Sequence, residues 1–192
     1  NLIKHLQDDY KIALICYGRP EEQAFDLTPL RELCDVQIVD RASSPGTLQA
    51  AWMTLTSPKP ITLRLYHTHA MERAIADYLA AHDVDLIHVE SFYMLPNLPE
   101  SLDVPVLLSE PAIEYIAWGR HAQVAKPWYT RPGVKLEALK LRTWEPRIWA
   151  QATAIGAMSA IDADIIRRDL PGATIFMTPN GVDVDYFTID EA

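Results

Sequence analysis

A repeated pairing constrains this chain most: a short, continuous apolar run followed by a stretch of helical periodicity. The clearest apolar runs are 11–16 (KIALIC), 84–89 (VDLIHV), 104–108 (VPVLL), 153–158 and 174–177. Each is too short for a helix and too continuously apolar for a half-exposed strand. Between them lie helical stretches at 21–33, broken near Pro29, and at 44–56, 70–81, 111–124 and 132–151. Pro146 is expected to kink or break the last of these. Ser159 is placed to cap a further helix running to Asp169, with Asp162 three residues on. Residues 36–39 form a short strand, 61–65 an extended or irregular stretch, and Leu2, Ile3 and Leu6 recur at helical spacing. The expectation is an α/β protein: an open parallel sheet with helices on both faces.

At 192 residues the chain fits one large domain. Its 49% hydrophobic and 22% charged content is ordinary for a soluble globular protein. No apolar run approaches the ~20 residues that a membrane span needs, and the first residues carry no signal-peptide pattern. The expected location is cytoplasmic, and peripheral on the inner face of the membrane if the basic segment below binds lipid. Cys16 is expected in a strand and Cys34 in a helix, both as buried free thiols without metal-ligand spacing.

The net charge of −9 argues against general nucleic-acid binding, but the charge is unevenly placed. Segment 117–147 holds seven basic residues (Arg120, Lys126, Arg131, Lys135, Lys140, Arg142, Arg147) and two acidic ones (Glu137, Glu145), so it is +5 and the remainder −14. Trp118, Trp128, Tyr129 and Trp144 are interleaved. The pattern fits an amphipathic helix with aromatic core anchors, or a patch for an anionic lipid surface or a phosphorylated acceptor.

In open parallel sheets, ligands bind beyond the carboxyl ends of the strands. That rule selects Tyr17-Gly18-Arg19, His88-Val89-Glu90-Ser91, Ser109-Glu110-Pro111 with Glu114 one turn on, and Met158-Ser159-Ala160. Glu90 and Glu110 could face one another across a cleft and hydrogen-bond a sugar hydroxyl; salt bridges or cap contacts are the alternative. Glu114, Trp118 and His121 share one helical face that could clamp a polyol or simply pack. His67 and His69 could both reach a metal, but no third ligand is evident and no metal site is expected. No HExxH, CxxC pair, Gly-rich phosphate loop or GxSxG occurs, which leaves metal-hydrolase and Walker-type readings without support.

Three segments carry a family likeness: Asp85-Leu86-Ile87-His88-Val89-Glu90; 105–115 (PVLLSEPAIEY) with Arg120 and the helix bearing Glu137 and Glu145; and 154–164 leading to Pro179-Asn180-Gly181-Val182-Asp183. Together they cover most of 84–187, and 1–83 fits by pattern only. The chain resembles the N-terminal domain of family 4 (group 1) glycosyltransferases. The resemblance implies one Rossmann-like half of a two-domain GT-B enzyme that transfers a sugar, with retention, from a nucleotide-sugar donor to a glycan or glycolipid acceptor in polysaccharide biosynthesis. It implies no cofactor and no metal. Residues 1–187 would bind the acceptor, through candidates His88, Glu90, Ser91, Ser109, Glu110, Glu114 and Arg120. Asn180, Gly181, Val182 and Asp183 would form the interdomain hinge, and 188–192 would begin the connection to a donor-binding domain not in this chain. The first strand of the family and its Gly-rich turn would precede Asn1. Many relatives carry His-Asn where this chain has Pro111-Ala112, so no catalytic residue is assigned and the fragment alone is expected to be inactive. The alternatives are a non-catalytic Rossmann-like ligand-binding module and half of a GT-B sugar-nucleotide epimerase.

Overall fold

A computed structural model describes residues 2–19, 25–41 and 44–181. It is α/β with parallel strands throughout, as the alternating pattern requires. β1 (Ala13–Gly18) and β2 (Asp35–Asp40) form one parallel pair. β3 (Ile87–Glu90), β4 (Val106–Glu110), β5 (Ala154–Ala157) and β6 (Ile175–Met177) form a second parallel sheet in that order. Gly18 lets the first pair close at its carboxyl end, because a Cβ there would stand 2.6 Å from Ile38 Cγ2.

The helices are α1 (Leu2–Leu6), α2 (Thr28–Arg31), α3 (Thr47–Thr56), α4 (Ile61–Tyr66), α5 (His69–Ala81), α6 (Glu114–Val124), α7 (Arg131–Trp149) and α8 (Ala160–Asp169). A 3₁₀ segment, Phe92–Asn97, follows β3. The main core gathers Leu63, Val89, Phe92, Leu95, Val106, Leu108, Leu141, Ile148, Trp149 and Ile155 between the larger sheet and α7. A smaller cluster of Val39, Met71 and Ala74 sits under the first sheet, and Met94 of the 3₁₀ segment packs against both.

α7 organises this core. Its buried residues, Glu137, Ala138, Leu141, Glu145, Ile148 and Trp149, follow the helical repeat and lie on one face. Two of them are glutamates that cap other helices. The N–H of Ile61, first residue of α4, donates to Glu137 Oε2 at 2.7 Å. The N–H groups of Glu114 and Tyr115, which open α6, donate to the two oxygens of Glu145 at 2.8 and 2.9 Å. Neither α4 nor α6 has a capping side chain of its own, so α7 satisfies donors that burial would otherwise leave orphaned.

Several local expectations are corrected. Residues 61–65 are helical, because Pro60 opens α4 and Glu137 completes its first turn. Of the expected 21–33 helix, Thr28–Arg31 is helical among the described residues, with Pro29 in its first turn; 20–24 lie outside the described residues. α7 runs through Pro146 without a break, its last turn held by buried Ile148 and Trp149. Cys34 lies in the turn before β2; it and Cys16 are free and half-buried. Among the described glycines Gly172, between α8 and β6, has positive φ.

Replacing Glu137 with alanine uncaps α4 and leaves Lys140, 2.9 Å from Glu137 Oε1, without its carboxylate. Glu137→Ala is expected to lower unfolding free energy by about 3 kcal/mol. Leu139→Ala, at an exposed position of the same helix, is expected to stay within about 0.5 kcal/mol. Urea denaturation checks both.

Candidate functional site

The chain runs from β1 outward to β2, returns through α3, α4 and α5, and then builds the larger sheet outward from β3. β1 and β3 belong to separate sheets, and contacts among Tyr17, Tyr66 and Tyr93 join the regions near their carboxyl ends, the ends beyond which open α/β sheets take ligands. Four elements bring aromatic and polar groups together there. Tyr17, near the end of β1, donates its hydroxyl to the Tyr66 carbonyl at 2.8 Å and lies 2.8 Å from Thr68 Oγ1. The Tyr66 ring closes α4; its centroid is 5.9 Å from that of Tyr17, edge-on, and 4.5 Å from that of Tyr93. Arg41, just past β2 and buried, sets its guanidinium 4.4 Å from the Tyr66 ring centroid, a cation–π contact.

Asn97 locks this array from below. Its amide donates to the Tyr66 and Met94 carbonyls at 2.8 and 3.0 Å and accepts from the Thr68 N–H at 3.1 Å. Ser91 makes the sharp turn from β3 into the 3₁₀ segment with φ 73° and ψ 136°. Backbone there is strained for any side chain, by about 1–3 kcal/mol, and such strain concentrates at functional sites.

A second layer lies at the end of β4. Strand alternation puts Glu110 on the face of buried Val106 and Leu108. The Trp149 indole N–H donates to Glu110 Oε2 at 3.1 Å, while Oε1 is buried with no partner. Burial, then the Glu145 carboxylate, push Glu110 well above the usual range. Burial pushes Glu145 up to about 8, against the two helix-terminal N–H groups that favour its anion. Burial also raises Glu114, opposed by the Trp118 indole N–H that donates to its Oε2 at 2.9 Å. Three carboxyls therefore retain protons to higher pH than ordinary glutamates, and a neutral carboxyl can both donate and accept.

The structure gathers Ser91, Glu110 and Glu114 around this centre and does not join Glu90 to it. Glu90 and Glu110 do not face one another: Glu90 is exposed, 3.4 Å from His88 Nε2 on the same side of β3, while Glu110 points into the core. Ser109 pairs with Glu90 in register and is half-buried. Arg120 is exposed on α6, off the Glu114–Trp118 face. Glu114 and Trp118 satisfy one another, so part of the expected polyol clamp is already occupied. His67 and His69 both contact Glu72, at 2.5 and 2.7 Å, and no group of metal-ligating side chains is found among the described residues. Asn180 and Gly181 are exposed, and Val182, Asp183 and 188–192 lie outside the described residues. The selected Tyr17-Gly18-Arg19 did mark the aromatic centre, but Arg41, Tyr66, Tyr93 and Asn97 were missed. Tyr93 lay two residues past a selected strand end, which was the available signal.

No family model matches the chain. Over 121 residues it is 30% identical to the NADH-dependent D-xylose reductase of Candida parapsilosis, a match covering 58% of this chain and 35% of that protein. The chain thus spans about a third of the relative it matches. That relative is an oxidoreductase, and the finding overturns the glycosyltransferase expectation, including transfer from a nucleotide sugar and a role in polysaccharide biosynthesis.

Two outcomes are expected. A carboxyl raised by folding holds more protons in the native than in the unfolded state, so its contribution is full below the ordinary value of 4.5 and is lost as pH rises through about 8. Urea denaturation should find the chain less stable at about pH 8 than at about pH 5, by up to a few kcal/mol, with a flatter dependence in Glu145→Gln. Ser91→Gly relieves the positive φ and should raise stability by about 1 kcal/mol in the same assay.

Proposed function

We propose that this chain is a carbohydrate-binding α/β domain whose aromatic centre near the ends of β1 and β3 takes a neutral, polyhydroxylated small molecule. The Tyr17–Tyr66–Tyr93 array with Arg41 carries the reading. Tyrosine presents an apolar face for the C–H side of a sugar ring and a hydroxyl at its edge. The tyrosine hydroxyls and the partly exposed Glu114 supply donors and acceptors, the chemistry that hydroxyl groups need. The reductase matched over part of the chain is named for a sugar substrate, which is in keeping with this ligand class.

D-xylose and xylitol are suitable probes, with acetate as a charged control. Titration calorimetry is expected to give dissociation constants on the order of 1 mM, equivalent to ~4 kcal/mol, and no binding of acetate. Tyr93→Ala should weaken polyol binding about tenfold. Absence of polyol binding, or equal binding by Tyr93→Ala, would count against the site. Energy transfer from tryptophan to added NADH tests separately whether the relative's cofactor is shared.

A further inference from the structure

We propose that α3 and the outward sides of α6 and α7 form a docking surface for an anionic membrane. The first observation is α3 itself. It contains no charged residue, and Leu48, Trp52 and Leu55, at i, i+4 and i+7, form one stripe that is 88%, 70% and 74% exposed. Fully apolar stripes of this width on a helix are normally covered.

The second observation is charge. No Asp or Glu occurs between Arg41 and Glu72, while Lys59 and Arg64 do. In 117–147 the two acidic residues, Glu137 and Glu145, are both buried. Every charge that this segment presents to solvent is therefore positive, in a chain of net charge −9. A groove of about 580 Å³ between α6 and α7 places Arg131, Lys135 and Arg142 around Gly119, Ala138 and Leu139. Asp169, near its rim, is already held by Arg168 at 2.7 Å.

α7 lies between the two features: Lys140 and Trp144 face α3, about half a turn round the helix from Arg131, Lys135 and Arg142. Lys140 Nζ donates to the Thr54 carbonyl of α3, and the Trp144 indole N–H donates to the Pro58 carbonyl at 3.1 Å. α3 presents an uncharged stripe with a tryptophan at its centre on one flank of α7, and the groove cations lie on the other. Trp128 and Tyr129, 75% and 62% exposed at the start of α7, are residue types that settle at headgroup level. No helix among the described residues is long and apolar enough to cross a membrane, so the mode is interfacial. A second copy of the chain would set like charges together, and a nucleic acid would leave the α3 stripe uncovered.

Co-sedimentation with phosphatidylcholine vesicles, with and without about 30% phosphatidylglycerol, tests this. Binding to the anionic vesicles should exceed binding to neutral ones by about tenfold or more and fall with added salt. Trp52→Ser and the double variant Lys135→Glu/Arg142→Glu should each lose most of it. These side chains are exposed, so circular dichroism should be unchanged. If a variant fails to fold, quenching of wild-type tryptophan fluorescence by brominated anionic lipid supplies the readout. Equal binding to both vesicles, binding to neither, retention of a duplex DNA in place of vesicles, or self-association through Trp52 would overturn the proposal.

Discussion

The trans-capping of α4 and α6 by the buried glutamates of α7 is the contact on which the rest of the structure depends. A helix terminus facing the core has N–H groups that neither water nor its own chain can satisfy. Glu137 and Glu145 lie eight residues apart on one face, and each meets such a terminus. Both carboxylates also sit where the positive end of a helix dipole favours them. This fixes the relative placement of three helices. Through Trp149, four residues on from Glu145, α7 also reaches Glu110 at the end of β4. One helix thereby links helix packing to the polar centre of the sheet.

That linkage explains why the polar centre tolerates so much buried acid. Burial raises Glu110, Glu114 and Glu145; Glu145 and Glu114 raise Glu110 further and Glu114 raises Glu145, while each is offered a donor: an indole N–H for Glu110 and Glu114, two backbone N–H groups for Glu145. Full ionisation of all three would leave charges with too few partners in a poorly hydrated space. Retained protons resolve the conflict. Glu110 Oε1, buried without a partner, belongs to the last residue of β4.

The architecture was legible because its signal is periodic. Continuous apolar runs marked every strand of the larger sheet, and Ser159 was recognisable as the cap of α8, where it accepts the Asp162 N–H at 3.1 Å. What was hidden depended on distant residues. α4 reads as irregular in isolation, since its β-branched start lacks a local cap; the group that completes it is 76 positions away. Pro146 reads as a breaker, yet the buried residues on both sides of it outweigh one lost helical hydrogen bond. Glu90 and Glu110 looked equivalent at two strand ends. Their burial differs because Glu110 shares a face with Val106 and Leu108, whereas Glu90 shares one with the half-exposed His88. The tyrosine array escaped notice because its members come from three separate elements.

The same placement of acids shapes the outer surface. A chain of strongly negative net charge could present a basic face only by hiding the acids of that region or excluding them. Both occur: 42–71 has no acidic residue, and those of 117–147 point inward as caps. A glutamate that caps a buried helix end therefore has two consequences. It holds the core together, and, Lys140 apart, which pairs with Glu137, it leaves the basic residues of its own helix facing solvent without counter-charge from that helix. The positive exterior of α7 follows from the same residues that fix its interior.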